Sequence, residues 1–204
     1  MTKYSEKDIY NYLSTSGFTQ HDRIKRLFFV NYHSYDICPS FLCSIKRRRN
    51  RVRIGGAFGL YFKEFEQLWS ARHSSLSKLE FKLPLVMLID NYSNIVDEIV
   101  FNYTDDAVDL TKSASAIYDL CTLFPSSEVE FAKILETKEM VGKPFSSYLH
   151  IFDYNSDDSH LLRKSIGFVE WYICRWPKQA DLLYDCLAPL QLRRLYHFRK
   201  TRLR

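Results

Sequence analysis

Two short stretches, Glu80-Phe81-Lys82 and Glu136-Thr137-Lys138, match the Glu-x-Lys half of a restriction-type nuclease centre. Such a centre also needs a second acid, usually an aspartate on an adjoining strand, to hold Mg²⁺ with the glutamate. Only Glu64 and Glu66 lie suitably before Glu80, and both fall in a predicted helix. Asp90 precedes Glu136, which is also in a predicted helix. We therefore interpret both stretches as surface charges, and a divergent Mg-dependent nuclease as the least favoured function.

Other catalytic patterns are missing from the sequence. The glycines of Gly55-Gly56-Ala57-Phe58-Gly59 lack the Lys-Ser/Thr of a P-loop and the spacing of a dinucleotide-binding fold, so they indicate a strand bulge or a close backbone approach. The histidines show no ligand-like pairing, and His33 lies near Cys38 and Cys43 in sequence only. Acidic residues at predicted helix starts oppose the helix dipole, namely Asp105, Asp106, Asp109, Asp153, Asp157 and Asp158. No catalytic residue, metal ligand or cofactor is predicted.

Basic residues are concentrated in two blocks. Residues 20–53 contain nine basic and two acidic residues, a net charge of +7, and residues 191–204 contain six basic residues and no acid. The whole chain carries +5, so the remainder carries −8. Such asymmetry is typical of proteins that bind a polyanion or an acidic protein, although solvated charge is the alternative. The predicted contact residues are Lys46, Arg47, Arg48, Arg49, Arg51, Arg53, Arg193, Arg194, Arg199 and Lys200.

Aromatic side chains are interleaved with the first basic block. Aromatic and arginine faces can stack on bases or form protein hot spots, whereas packing in the core is the default for at least half of such rings. The rings concerned are Phe28, Phe29, Tyr32, Tyr35, Phe41 and Tyr61.

The hydrophobic pattern predicts an α+β fold, with an antiparallel sheet in the N-terminal half packed against a helical C-terminal half. A helix begins after a capping pattern at Ser5 and stops near Gly17. Alternating residues from Arg51 to Phe62 predict a strand, and Lys46 to Asn50 read as the tip of a β-hairpin. A helix is predicted at about 63–72, and Pro125 separates two later helices. Residues 1–104 are predicted to form a β-rich α+β part with the basic hairpin, and residues 105–204 a helical part. The length of the chain predicts that the two form one compact unit.

Composition places the chain among globular proteins, because 46% of its 204 residues are hydrophobic. The N-terminus has no apolar segment of the signal-peptide type, and the longest apolar run is too short to span a bilayer. The five cysteines have irregular spacing without a Cys-x-x-Cys pair, which indicates reduced and mostly buried thiols. We expect a cytoplasmic location and no membrane partner.

The first third of the chain contains a helix, then Ser16-Gly17-Phe18, a basic strand and the stretch 58–66. In this order of elements it resembles small bacterial immunity-type α+β proteins of unassigned families. We expect a non-catalytic binding protein, an accessory subunit or adaptor of a larger bacterial or phage assembly. It would have a protein partner and could contact nucleic-acid phosphates through its basic segments. The alternative is an immunity-type inhibitor of a toxin or other enzyme; the sequence does not indicate an oligomeric state.

Overall fold

The computed structural model contains helices and strands, with the two longest strands adjacent in the N-terminal half. The structure describes residues 5–22, 24–48, 51–74, 87–89, 107–140, 143–144, 149–151 and 159–186. The helices are α1 (Glu6–Thr15), α2 (Lys63–Arg72), α3 (Ala107–Cys121), α4 (Glu128–Thr137), α5 (Ser159–Arg175) and α6 (Ala180–Cys186), with a 3-10 turn at Pro177–Gln179. The strands are β1 (Thr19–Gln20), β2 (Leu27–Phe29), β3 (Ile37–Arg48), β4 (Arg51–Phe62), β5 (Met87–Ile89), β6 (Glu139–Met140), β7 (Lys143–Pro144) and β8 (Leu149–Ile151).

Six strands form one antiparallel sheet in the order β1-β2-β3-β4-β5-β8. Its centre is the long β3–β4 ladder, which pairs Ile37 with Phe62 at one end and Arg48 with Arg51 at the other. Strands β6 and β7 form a separate two-stranded sheet. The alternating apolar residues of β3 and β4 explain the ladder, because successive residues of a strand lie on opposite faces.

Local sequence signals set the helix starts. Ser5 caps α1 with a complete capping box, in which its side chain accepts from the Asp8 backbone and Asp8 accepts from the Ser5 backbone. Ser127 caps α4 by accepting from the backbone of Glu130. After α1, Gly17 has φ of +107°, a backbone conformation that favours glycine and ends the helix.

The main core lies between one face of the sheet and the helices. Phe28, Phe41, Phe58 and Phe62 come from the sheet, and all four are buried. The helices contribute buried apolar residues to the same cluster: Ile9, Leu13, Phe65, Leu110, Ala114, Ile117, Cys121, Phe131, Leu135, Ile166, Phe168, Val169, Tyr172 and Leu183. Residues from both halves of the sequence therefore share this core.

Phe62 connects the sheet to the C-terminal helices. It ends β4, and its ring centroid lies 5.4 Å from that of Phe131 and 4.9 Å from that of Phe168. Trp171 and Tyr172 also contact it, edge to face. Aromatic pairs in these geometries add to the stabilisation from burial. The Phe62 ring therefore stabilises the packing of the sheet against the C-terminal helices.

The predicted α+β class is confirmed, with the antiparallel sheet in the N-terminal half and helices in the C-terminal half. The helix predicted at 63–72 and the helix start predicted at Ser5 are also confirmed. However, the C-terminal half adds strand β8 to the sheet and forms the small β6–β7 sheet. Most of the predicted strand at 81–89 lies outside the described residues, and its end forms β5.

The paired glycines of β4 mark a close approach and not a bulge. The register is continuous there, with Ser44 opposite Gly55 and Cys43 opposite Gly56. A Cβ atom built on Gly56 would lie 2.3 Å from the carbonyl oxygen of Leu42 and 2.6 Å from Phe41. No larger residue fits this position without moving the backbone of β3.

Candidate nucleic-acid interface

The predicted basic hairpin is the far end of the β3–β4 ladder. Direct cross-strand pairs there are Lys46 with Arg53 and Arg48 with Arg51, while Arg47 pairs with Val52. The predicted hairpin is therefore confirmed, but its predicted tip is too long, because Lys46, Arg47 and Arg48 pair with β4 and extend β3. Arg49 lies outside the described residues.

The register gathers four basic residues on one face of the ladder. Because side chains alternate between faces with a period of two, Lys46, Arg48, Arg51 and Arg53 share a face. Arg47 belongs to the opposite face, with Val52. In the sequence these residues form one basic block, whereas the strand register distributes them over two faces of the ladder. It also places Lys46 directly opposite Arg53, and Arg48 directly opposite Arg51.

Like-charge pairs directly opposite each other destabilise a sheet, whereas opposite-charge pairs contribute roughly 0.2–1 kcal/mol. Two such pairs in consecutive positions of one face therefore lower the stability of the hairpin without preventing its formation. We call the register positions Lys46, Arg48, Arg51 and Arg53 the cationic face.

The other face of the same ladder anchors the hairpin to the core. Ile54 is 6% exposed and belongs to the main core, and Ile45, directly opposite it, is half-buried against that core. The backbone N–H of Cys43 also donates to the carbonyl oxygen of Arg26 at 2.7 Å. The cationic face therefore belongs to a ladder whose opposite face packs against the main core.

Along the cationic face, the next register positions carry small or aliphatic residues. Ser44 is exposed, and Leu42, Gly55 and Ala57 are half-buried. Further along, a second and smaller core contains Leu27, Phe29, Cys38 and Tyr61. Between the two, the Ser40 hydroxyl is buried without a hydrogen-bond partner.

The C-terminal candidates, Arg193, Arg194, Arg199 and Lys200, lie outside the described residues. Of the predicted contact residues, the structure therefore brings together five, Lys46, Arg47, Arg48, Arg51 and Arg53, on two faces of one ladder.

Neither Glu-x-Lys stretch forms a metal centre in the described residues. Glu136 is exposed near the end of α4, and Lys138 is the left-handed cap of that helix with φ of +52°. Glu80 and Lys82 lie outside the described residues, as does Asp90. In residues 5–186 as far as they are described, no three His, Cys, Asp or Glu side chains are grouped to hold a metal ion.

The two acids that precede Glu80, Glu64 and Glu66, form ion pairs with basic side chains of α5. Glu64 accepts from Arg175 at 2.7 Å, and Glu66 accepts from Lys164 at 2.6 Å. Both glutamates lie in α2, as the helical spacing predicts.

The pair of Glu66 and Lys164 is a feature that the sequence prediction missed. Their side chains are only 9% and 2% exposed, so this ion pair joins α2 to α5 inside the protein. Burial lowers the pKa of Lys164, and the attraction of Glu66 acts against that shift. The burial of Lys164 could have been predicted from the helical period, which places it on the same helix face as the apolar residues Phe168 and Tyr172.

Three of the described cysteines, Cys38, Cys43 and Cys121, are buried, whereas Cys174 is exposed. Cys38 and Cys43 are buried and unpaired, and burial raises the pKa of each thiol to about 12. The Cys38 thiol donates to the carbonyl oxygen of Tyr35, while His33 is exposed with its ring against Tyr32. A thiol with so high a pKa is a poor nucleophile near neutral pH.

A groove of about 480 Å³ lies beside the α3–α4 connection, lined by Leu123, Glu130, Lys133 and Ile134 among others. Of the two glutamates that line it, Glu130 and Glu139, Glu130 accepts from both the backbone N–H and the hydroxyl of Ser126. These hydrogen bonds lower the pKa of Glu130. The Glu130 carboxylate therefore stabilises the start of α4, and its lowered pKa does not suit a general acid or base near neutral pH.

Comparison of the chain with protein-family models, curated proteins and solved structures gives no match. Within the described residues, no helix has the length and apolar character needed to cross a membrane.

Proposed function

We propose that this protein is a non-catalytic, cytoplasmic nucleic-acid-binding subunit whose cationic face contacts phosphate groups. The observation that carries the proposal is the opposition of Lys46 to Arg53 and of Arg48 to Arg51 on a single face. Such pairs weaken the hairpin in isolation and gain a favourable role when an anion lies over them.

The spacing of the cationic face supports phosphates as its target. Directly opposite residues in an antiparallel ladder lie about 5 Å apart, and alternate residues of a strand about 7 Å apart. Four basic residues therefore occupy neighbouring register positions on one face of the ladder. A polyphosphate backbone offers a comparably dense series of charges, whereas acidic residues on protein surfaces are interspersed with basic ones.

The fixed mounting of the hairpin supports a binding role as well. Ile54 and Ile45 hold the ladder against the core, so its strands do not have to be ordered when a ligand arrives. Preorganisation of this kind reduces the entropic penalty of association. In this proposal the protein acts as an accessory subunit or adaptor, and other surfaces contact the protein components of the assembly.

The test is the salt dependence of binding to a mixed-sequence nucleic acid. Changing Lys46, Arg48, Arg51 and Arg53 together to glutamine removes the cationic face. If each contacts one phosphate, the slope of log affinity against log salt concentration should fall by about 3 to 4, and affinity at 0.1 M salt at least about 100-fold. Fluorescence anisotropy over a salt series measures both quantities.

A second variant with the same change in net charge provides the control. Lys7, Lys112, Lys133 and Lys178 are exposed and scattered over other elements, and all four become glutamine. This control should retain at least a third of the wild-type affinity. Equal losses in both variants, or wild-type protein that binds acidic protein but no nucleic acid, would contradict the proposal.

A further inference from the structure

We infer that the cationic face binds the sugar–phosphate backbone of a double helix without contacting the bases. This inference rests on the proposed function and deepens it, because it specifies the form of nucleic acid. It follows from the kinds of residue that surround the four charges on their face of the ladder.

Single-stranded nucleic acids are bound mainly by stacking of unpaired bases on aromatic side chains beside a basic groove. The described positions that continue the cationic face are Leu42, Ser44, Gly55 and Ala57, and none of them is aromatic. Farther along that face, Tyr61 is 8% exposed and Phe29 is 1% exposed, since both belong to the smaller core. Tyr32 is half-buried against Tyr61, near the end of the ladder that is remote from the four basic positions.

The same positions form a low surface beside the charges. Gly55 and Ala57 have almost no side chain to project, and Ser44 is exposed opposite Gly55. A double helix is a thick and stiff ligand, and a flat surface lets its backbone approach the neighbouring cations. Burial of Ile54 also fixes the ladder, so the distances between the four backbone positions are set before a ligand binds. The phosphates of a double helix are likewise regularly spaced.

Charge density favours the duplex for the same four contacts. A duplex carries one phosphate per 1.7 Å of its axis, about twice the density of one strand, and releases more counterion for each contact, with slopes of about −0.9 against −0.7. A site that relies on phosphate contacts alone therefore gains more from a duplex. It also discriminates little between sequences, because phosphates carry no sequence information directly.

The experiment compares four probes of equal length with the full-length protein: two DNA duplexes of unrelated sequence, one RNA duplex and one single strand. The two DNA duplexes should bind within about threefold of each other. The better of the DNA and RNA duplexes should bind at least tenfold more tightly than the single strand and identifies the source of the backbone. A single strand bound as tightly as the duplexes, or a tenfold difference between the DNA sequences, would overturn the inference.

Ser44→Trp provides a second and independent readout. Ser44 is exposed in β3, where a tryptophan is compatible with a strand, and the new ring would lie two residues from Lys46. Stacking should raise affinity for the single strand at least fivefold, while the bulky ring lowers affinity for the duplex. Ser44→Thr should change neither affinity appreciably. Unchanged binding of both ligands by Ser44→Trp would contradict the inference.

The two proposals fail in different ways. If the variant lacking the cationic face loses binding while wild-type protein prefers the single strand, the proposed function stands and the duplex inference falls. If that variant binds every probe as wild-type protein does, the proposed function itself is wrong.

Discussion

Lys164→Met is expected to lower the free energy of unfolding by about 3–5 kcal/mol, the usual result of removing one partner from a buried ion pair. The ammonium group lies 2.6 Å from Glu66, and its side chain is 2% exposed. Methionine has a similar length and fills the space. The loss therefore reports mainly the removal of the Lys164 charge from beside the buried Glu66 carboxylate.

Urea unfolding of the double variant Glu66→Gln/Lys164→Met separates charge from packing. With both charges removed, at least half of the lost stability should return, because replacing a whole buried pair by uncharged residues is often close to neutral. A double variant as unstable as Lys164→Met, or a single variant as stable as wild-type protein, would contradict this account of the α2–α5 contact.

Phe62→Ala is the second substitution with a large expected effect, a loss of about 3–5 kcal/mol from the free energy of unfolding. The ring is 4% exposed and contacts rings from both α4 and α5. Its removal leaves a cavity where the end of β4 meets the C-terminal helices. Thermal and urea unfolding, with near-ultraviolet circular dichroism for the aromatic packing, measure the change.

Leu68→Ala is the matched control for Phe62→Ala. Leu68 lies in the adjoining helix α2 and is 41% exposed, so its truncation should cost less than about 1 kcal/mol. Similar losses for the two variants would show that Phe62 does not have the central role assigned to it.

Local sequence signals were sufficient for much of the fold. Ser5 and Asp8 define the start of α1 by themselves, since a capping box needs only neighbouring residues. The alternation in β4 predicts its strand because one face is buried, and the hairpin follows from two such strands joined by a polar turn.

Features that depend on residues far apart in the sequence could not be predicted from local sequence signals. Strand β8 has only three residues, and it is a strand because β5 supplies its hydrogen-bond partners. The contact of Glu66 with Lys164 joins residues far apart in sequence, so a period alone cannot identify the partner. Likewise, the division of the basic block into two faces requires the register, which pairs Lys46 with Arg53.

The central claim is that the cationic face is unfavourable for the hairpin and favourable for binding. The double variant Arg51→Glu/Arg53→Glu tests it, because both like-charge pairs become opposite-charge pairs with Lys46 and Arg48. Its free energy of unfolding should rise by about 0.5–2 kcal/mol, while affinity for a nucleic-acid duplex should fall at least about 100-fold at 0.1 M salt. A variant that is less stable than wild-type protein, or that binds the duplex equally well, would contradict the account.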